Sequence, residues 1–493
     1  MREDVLSISK AEPVHPPFWT CKPVEYVKVC PTYGPGFFYI PGTQTCIRVG
    51  GGVAVLGYAL PKYTNGAGRT AASYRFNART DAVNSEAQFN IFADVRDNTE
   101  YGLLRTYARI HYIRSSGSDD NSGSQPRRGQ WFNSNGGNYQ NLQTGFQASE
   151  AYVQLGGFLA GRTVSFAGPN LSAVGITVAQ PSNGRVNQFA YTASLGSGMS
   201  LTGAVEDAAE LRNGIFNLQG ARADGTLAAA TGGTMTTTAD GEVWSGVSQD
   251  GMQPNNVPDL VASFDVAQSW GTAKLAGVWH HVNAIPGQTA SSKEGYAITG
   301  FTKINLPMLA AGDNIQLLAS YGSGTTGRTT GYATDTASLN GSGGFGNAGV
   351  GLYDAIQVVN ADGTSRLSLS KSWTLGAQFQ HFFSPTINAY IGGSYNSVDY
   401  GSAKNYGVNN NPGGAAFSAA SVDGRRPHDH KFWGTELGVI WSPVTGLEIN
   451  PSVGYRKMEI SRSGYAACPT NALKVNKCDD DQFIGRLRVA RSF

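Results

Sequence analysis

The chain has 493 residues, of which 15% are charged, and a formal net charge of +2 at pH 7. This balance provides no strongly basic surface for a nucleic-acid partner, and an aromatic content of 11% argues against a disordered chain. The longest apolar stretch, residues 49–60, is shorter than the ~18–20 residues of a membrane-spanning helix, and glycines interrupt it. The composition therefore excludes a helical membrane protein and leaves β-structure open.

Apolar and polar residues alternate with a period of two along much of the chain. From Leu104 to Tyr112 the even positions are apolar or mild, whereas Arg105, Arg109 and His111 occupy odd positions. Such alternation predicts strands with one apolar and one polar face. The predicted strands are, in chain order, 46–60, 86–98, 102–114, 147–156, 158–167, 187–196, 199–209, 257–269, 271–283, 293–304, 312–322, 372–383, 386–399, 433–443, 445–460 and 483–493.

Short turns and long polar stretches connect these strands. The short joints contain Gly, Ser and Pro, as at 195–198, 384–385 and 442–445. The long stretches, rich in Gly, Ser, Asn and Asp, are 115–146, 210–256, 323–371, 400–432 and 461–482. Residues 69–81 also alternate, and we place them in the first long loop because single-chain bacterial barrels have an even number of strands.

This arrangement predicts an all-β fold, a sixteen-stranded antiparallel transmembrane β-barrel with short periplasmic turns and long extracellular loops. Several soluble β domains in series are the alternative. Soluble loops longer than ~12–15 residues are uncommon, and a wide barrel with a wet interior can bury an apolar outer face only in lipid. The barrel is therefore the favoured interpretation.

The two ends of the chain carry a family resemblance. Residues 24–49 read VEYVKVCPTYGPGFFYIPGTQTCIRV, and the last predicted strand, 483–493, reads FIGRLRVARSF. Both segments resemble the ends of the mature alphaproteobacterial outer-membrane porins of the Brucella and rhizobial type, and the order of hairpins between them matches. The resemblance covers residues 24–493. It implies a periplasmic segment at 1–45 and a barrel at 46–493.

The same resemblance implies a general-diffusion porin, a homotrimer in the outer membrane of a Gram-negative bacterium. Its partners would be membrane lipid, lipopolysaccharide and the barrel-assembly machinery, which would recognise the terminal Phe493. Residues 1–23 contain four prolines and are expected to form an extended periplasmic arm. Residues 1–7 are not the start of a signal peptide, since no apolar stretch follows them. We expect an export signal to have been removed, or the start to have been assigned downstream.

Four of the five cysteines fall into two nearby pairs. Cys30 and Cys46 flank a segment rich in Gly and Pro, and Cys468 and Cys478 lie in the last long loop. Two disulfides, each stabilising by ~2–4 kcal/mol, would suit the periplasm and the cell surface. Five unpaired thiols are the alternative, and Cys21 has no partner in either arrangement.

No cofactor or metal is expected. No C-x-x-C pair suggests structural zinc. The segment His428-Asp429-His430 places two histidines at alternate positions, but no third metal ligand lies nearby in sequence. This favours a solvated loop over a metal site. Residues 479–481, three consecutive aspartates, form either a hydrated charge run or a divalent-cation bridge to lipopolysaccharide phosphates.

The resemblance places the constriction loop, the third loop of general porins, at 168–186. This segment contains no Asp or Glu, so the carboxylates that such loops commonly present are missing. The residues that we expect to narrow the pore from this loop are Asn170, Ser172, Gln180, Asn183 and Arg185.

Pore-lining charges follow from the polar faces of the strands. The expected basic residues on these faces are Arg48, Arg105 and Arg109, and Arg162 is added because it immediately precedes the constriction loop. The expected acidic residues are Asp94, Glu150, Glu206, Asp265 and Glu436. Rings of charge set ion preference in pores. With a constriction loop that lacks carboxylates, they predict a weaker cation preference than an acidic loop would give, with mild anion preference.

Passive diffusion of ions and small hydrophilic solutes is the leading function. A substrate-selective channel is one alternative, and it would need a track of aromatic residues or a denser series of arginines. A structural or anchoring outer-membrane protein is another. A barrel enzyme is not expected, because the sequence has no Gly-x-Ser-x-Gly elbow.

Overall fold

The computed structural model describes residues 28–59, 83–116, 142–169, 184–207, 209, 211–217, 234–238, 241–245, 250–251, 255–284, 290–330, 353–359, 365–402, 429–460 and 480–493. Seventeen strands form the main sheet, and sixteen of them make the wall of a barrel. The other strand, Phe38–Tyr39, pairs with the start of the first wall strand. We number the wall strands β1 Cys46–Ala59, β2 Val83–Thr99, β3 Gly102–Ser116, β4 Leu142–Leu155, β5 Phe158–Val164, β6 Arg185–Gly196, β7 Met199–Glu206, β8 Asp259–Gln268, β9 Gly271–Val282, β10 Lys293–Asn305, β11 Asn314–Ser323, β12 Lys371–Ser384, β13 Ile387–Asp399, β14 His430–Trp441, β15 Leu447–Ile460 and β16 Asp480–Ser492.

The barrel closes between its first and last strands. β1 pairs antiparallel with β16, with Val55 opposite Val489, and each other wall strand pairs antiparallel with its neighbours in sequence. Gly51 and Phe493 exchange two backbone hydrogen bonds of 3.0 Å at this seam. The predicted sixteen-stranded antiparallel barrel is confirmed.

Alternation along each strand separates an apolar outer face from a polar inner face. On β9, the side chain of Leu275 is 58% exposed on the outside, whereas the adjacent Lys274 is 7% exposed on the inside. Every wall strand presents an exposed apolar residue outward: Val53, Phe89, Ile110, Val153, Phe158, Phe189, Leu201, Leu260, Leu275, Ile298, Leu317, Leu375, Ile391, Leu437, Val453 and Leu487. Such a continuous apolar band requires lipid around it.

Seven turns join strands at one end of the barrel, which we call the turn end. Five of them have two residues, and the longest spans Leu306 to Asp313. In the turn between β6 and β7, Gly198 has φ of +76°, and a Cβ atom there would lie 1.9 Å from the carbonyl oxygen of Ala267. Glycine is therefore required at this position.

The opposite, loop end contains further structure that the sequence patterns did not predict. A four-stranded sheet joins Gly214–Asn217 and Asp250–Gly251, from the loop after β7, to Tyr353–Val359 and Ser365–Leu369, from the loop after β11. The fully buried Ile215, Ala355 and Leu367 pack with Val282 at the end of β9. Thr234–Thr238 pairs with Gly241–Ser245 as a separate hairpin.

Two short helical turns complete the described elements. A 3-10 helix spans Pro31–Tyr33, and α1 spans Thr326–Thr329. Among the described residues, no helix combines the length and apolar character needed to cross a membrane. The alternating stretch at 69–81 lies outside the described residues.

Candidate functional site in the barrel lumen

One arc of the inner face is strongly basic. We call it the arginine wall, formed by Arg48, Arg96, Arg105, Arg109 and Arg185, which come from β1, β2, β3 and the start of β6. Two of these guanidinium groups fork onto the buried carboxylate of Asp94. Arg96 donates to it at 3.0 and 2.8 Å, and Arg105 donates at 2.9 and 2.9 Å. Arg48 Nη2 lies 3.9 Å from the same carboxylate.

Glu150 is the second carboxylate of the arginine wall. Arg185 donates to its Oε1 from Nε and Nη2, both at 3.0 Å, and Arg109 Nη1 lies 3.5 Å away. In the described part of the chain, Asp94 and Glu150 are the two carboxylates that form ion pairs with the wall. Five guanidinium groups against two carboxylates leave three positive charges in excess.

Aromatic rings contact the guanidinium groups of the arginine wall. Phe92, Tyr107 and Tyr152 form a stacked series with centroid separations of 5.7 and 5.4 Å. The Arg105 guanidinium lies 5.2 Å from the Tyr107 ring centre, and that of Arg109 lies 5.7 Å from the Phe92 ring centre. Cation–π contacts of this kind orient arginine side chains. The rings therefore hold the arginines in place, rather than forming an uncovered aromatic track.

The N-terminal segment packs against the arginine wall at the turn end. A disulfide joins Cys30 to Cys46 at the start of β1, which confirms the predicted pairing. Phe37 is buried, and the guanidinium groups of Arg48 and Arg96 lie 5.2 and 4.8 Å from its ring centre. Residues 28–45 are thus fixed to the inner wall by a covalent link and by cation–π contacts.

Residues 165–167, just before the predicted constriction loop 168–186, contact the inner wall of the barrel. Ser165 Oγ lies 2.8 Å from Oε2 of Glu206, and the Phe166 amide donates to Oε1 of that carboxylate at 3.0 Å. Lys274 donates to the Phe166 carbonyl at 3.1 Å, and Ala167 packs with buried apolar residues of β6 to β10. The predicted loop residues Asn170, Ser172, Gln180 and Asn183 lie outside the described residues.

The remaining predicted acidic residues face inward and are paired. Asp265 lies 3.4 Å from Lys274 Nζ. Glu436 accepts hydrogen bonds from the Tyr390 hydroxyl at 2.9 Å and from Arg486 at 3.3 Å. These carboxylates compensate neighbouring cations elsewhere on the inner face. The second predicted cysteine pair, Cys468 and Cys478, lies outside the described part of the chain.

Arg162 does not take its predicted position. It lies opposite Ala151 on β4 and Asn187 on β6, and both of these side chains are exposed on the outer face. Cross-strand partners point to the same side of a sheet, so Arg162 lies on the outer face and does not line the pore. The inner positions beside it belong to Gly161 and Tyr152.

A buried ion cluster that the sequence patterns did not predict lies near the loop end. Arg328 of α1 pairs with Glu206 at 3.0 Å and with Asp259 at 2.6 Å, and His280 Nδ1 lies 2.6 Å from Asp259. Burial by itself lowers the pKa of the Arg328 guanidinium, but the two carboxylates outweigh burial and raise this pKa above its ordinary value. Arg328 lies 122 residues from Glu206 in sequence, so no local pattern could have indicated the contact.

A family model described as "Porin subfamily" matches residues 19–485. The chain belongs to this porin family. It is 30% identical to the porin Omp2a of Brucella melitensis over 201 residues, which cover 40% of this chain and 51% of that protein. It is 28% identical to the porin Omp2b of Brucella suis over 214 residues, covering 43% and 52%. The matches thus span about half the length of these curated relatives.

Solved structures support the same fold. The porin is similar to the outer membrane channel DcaP of Acinetobacter baumannii, with a TM-score of 0.54, 12% sequence identity, and coverage of 91% of this chain and 97% of that chain. At this identity the likeness concerns the fold alone. Family membership and the barrel place the porin in the outer membrane of a Gram-negative bacterium.

Proposed function

We propose that this porin is a general-diffusion channel through which ions and small hydrophilic solutes cross the outer membrane passively. The supporting observation is the closed barrel, whose apolar outer face and charged inner face match a lipid exterior and an aqueous interior. Diffusion down a gradient needs no catalytic group and no cofactor, so neither is part of the proposal.

The arginine wall supports a preference for anions. Its excess of three positive charges faces the lumen, and its side chains retain between 21% and 39% of their surface exposed. The constriction segment 168–186 contributes Arg185 and no carboxylate. Low-dielectric walls strengthen the field of such charges, so anions should be enriched in this part of the lumen.

The selectivity can be tested in planar lipid bilayers with a KCl gradient. Arg48 and Arg109 have the longest ion-pair distances of the arginine wall, so replacing both with Gln leaves each carboxylate its closest partner. The excess charge then falls from three to one, and the reversal potential should shift toward cation preference. Arg162→Gln, on the outer face, is the matched control and should leave the reversal potential unchanged.

The outcomes separate the parts of the proposal. Strong cation selectivity of the unaltered porin would overturn the anion preference. Absence of any conductance steps from folded protein would overturn the open channel and favour the structural or anchoring alternative. A substrate-selective channel would instead show conductance that one solute blocks at low concentration.

The partners are also proposals, based on family membership. We infer that three copies associate in the membrane, in contact with lipid and lipopolysaccharide, and that the assembly machinery recognises Phe493. The Phe493 side chain is 67% exposed at the end of β16, where a partner can reach it. Conductance that changes in steps of three would support the trimer.

A further inference from the structure

The first residues of the loop after β11, 324–330, turn toward the inner face of the barrel. All four residues of α1, Thr326–Thr329, are buried. Thr374 Oγ1 donates to the Thr329 carbonyl at 2.6 Å, and Thr374 lies on the inner face of β12, three residues inside the strand. Thr325 Oγ1 donates to the Tyr296 carbonyl on β10 at 2.8 Å. Residues 324–330 therefore lie against the inner wall.

Arg328 connects this segment to a distant part of the wall and to the constriction loop. Its guanidinium contacts Glu206 on β7 and Asp259 on β8, and Nη1 also donates to Ser165 Oγ at 3.1 Å. Ser165 is the first residue after β5, three residues before the predicted constriction segment 168–186. One side chain thus links two inward segments that are far apart in sequence.

The segment is also anchored from the loop end. Asp354 is fully buried and accepts hydrogen bonds from the Thr326 amide and hydroxyl, both at 2.8 Å, and from the Asn213 amide at 2.7 Å. Asp354 belongs to the four-stranded sheet, and Asn213 precedes that sheet in the loop after β7. The contacts at β7, β8, β10 and β12 trace an arc along the inside of the barrel.

Buried ion pairs are weak contributors to net stability and serve best to specify one arrangement. Arg328 has 4% of its side-chain surface exposed, and its two carboxylate partners have 0% and 1%. A cluster so deeply buried would be unnecessary for a loop that only covers the surface. It holds residues 324–330 at one position against the inner wall.

We propose that residues 324–330 form a second constriction, which we call the luminal strap, and that Arg328 is the residue that positions both the strap and the start of the constriction loop. The inference rests on the proposed diffusion function. The strap narrows the lumen along the arc from β7 to β12, so the size limit for neutral solutes depends on Arg328 as well as on segment 168–186.

The test compares the passage of neutral sugars of increasing size into liposomes that contain the porin. Removing Arg328 alone leaves two buried carboxylates unpaired and endangers folding, so the main variant is Arg328→Met with Glu206→Gln and Asp259→Asn. Lys371→Met, at an exposed position on the outer face of β12, is the matched control. A second variant, Ser372→Ala with Thr374→Ala, removes the hydrogen bonds that the Ser372 and Thr374 hydroxyls form with Thr329 and changes no charge.

With the strap released, the swelling rate for a trisaccharide relative to a pentose should rise, and single-channel conductance should increase, because residues 324–330 no longer occupy part of the lumen. The alanine variant should show a smaller rise, and Lys371→Met none. An unchanged trisaccharide-to-pentose ratio in both folded strap variants overturns the luminal strap while leaving the channel intact. Failure of the unaltered porin to pass even the pentose overturns the proposed function itself.

Discussion

Substituting both Cys30 and Cys46 by serine should weaken the attachment of residues 28–45 to the inner wall. The disulfide is the covalent part of that attachment, and the other part consists of Phe37 beneath two guanidinium groups and the pairing of Phe38–Tyr39 with the start of β1. These non-covalent contacts remain in the double variant. The segment should therefore still dock, but it should open more often.

The size of the effect follows from the length of the loop that the disulfide closes. The cysteines are separated by 16 residues, and a closed loop of about 15 residues corresponds to ~3 kcal/mol in the chain-entropy estimate. Since every ~1.4 kcal/mol changes a population ratio tenfold, the open population of the segment should rise by about 100-fold.

Cleavage by chymotrypsin after Phe37 reports this population, because Phe37 is 2% exposed in the docked segment. When opening and closing are fast, the cleavage rate follows the open population. Tyr101, 74% exposed in the turn between β2 and β3, provides an internal control site whose cleavage should not change. Equal Phe37 cleavage rates in the unaltered porin and the double serine variant would refute a stabilising role of the disulfide. The docking of residues 28–45 would then depend on the non-covalent contacts alone.

Two further predictions concern the loop end and a turn. Burial raises the pKa of Asp354 to about 6, above its ordinary value of 3.8 and against the effect of its hydrogen bonds. The docking of residues 324–330 onto Asp354 should therefore be most stable below about pH 4, weaken as the pH rises to about 6, and change little above pH 6. Hydrogen exchange of the Thr326 amide should report this dependence, and Asp354→Asn should flatten it. Gly198→Ala should lower the free energy of unfolding by more than ~1 kcal/mol in urea titrations of the folded barrel, because of its positive φ and the nearby Ala267 carbonyl. Gly203→Ala, where a Cβ atom meets nothing within 4 Å, is the control and should be nearly neutral, and equal losses for the two would contradict the account.

Strand positions could be predicted from the sequence because their signals are local. On β3, Arg105 and Arg109 alternate with Leu104 and Ile110, and the structure places the arginines inside and the apolar residues outside. These predictions succeeded where adjacent residues of a strand differ clearly in polarity. Near Arg162, β5 shows no such difference, because its inner Leu159 and outer Phe158 are both apolar. The face of Arg162 therefore followed only from the pairing of β5 with β4 and β6.

By itself, the amino-acid sequence determined the number of wall strands, the short turns and the identity of most charges on the inner faces, because a period of two and turn chemistry act over a few residues. Only the tertiary structure decided which charges meet. Asp94 joins arginines of two neighbouring strands, and Arg328 joins carboxylates and a serine from strands and loops remote in sequence. Closure of the barrel brings these groups together, and burial then requires each charge to find a partner.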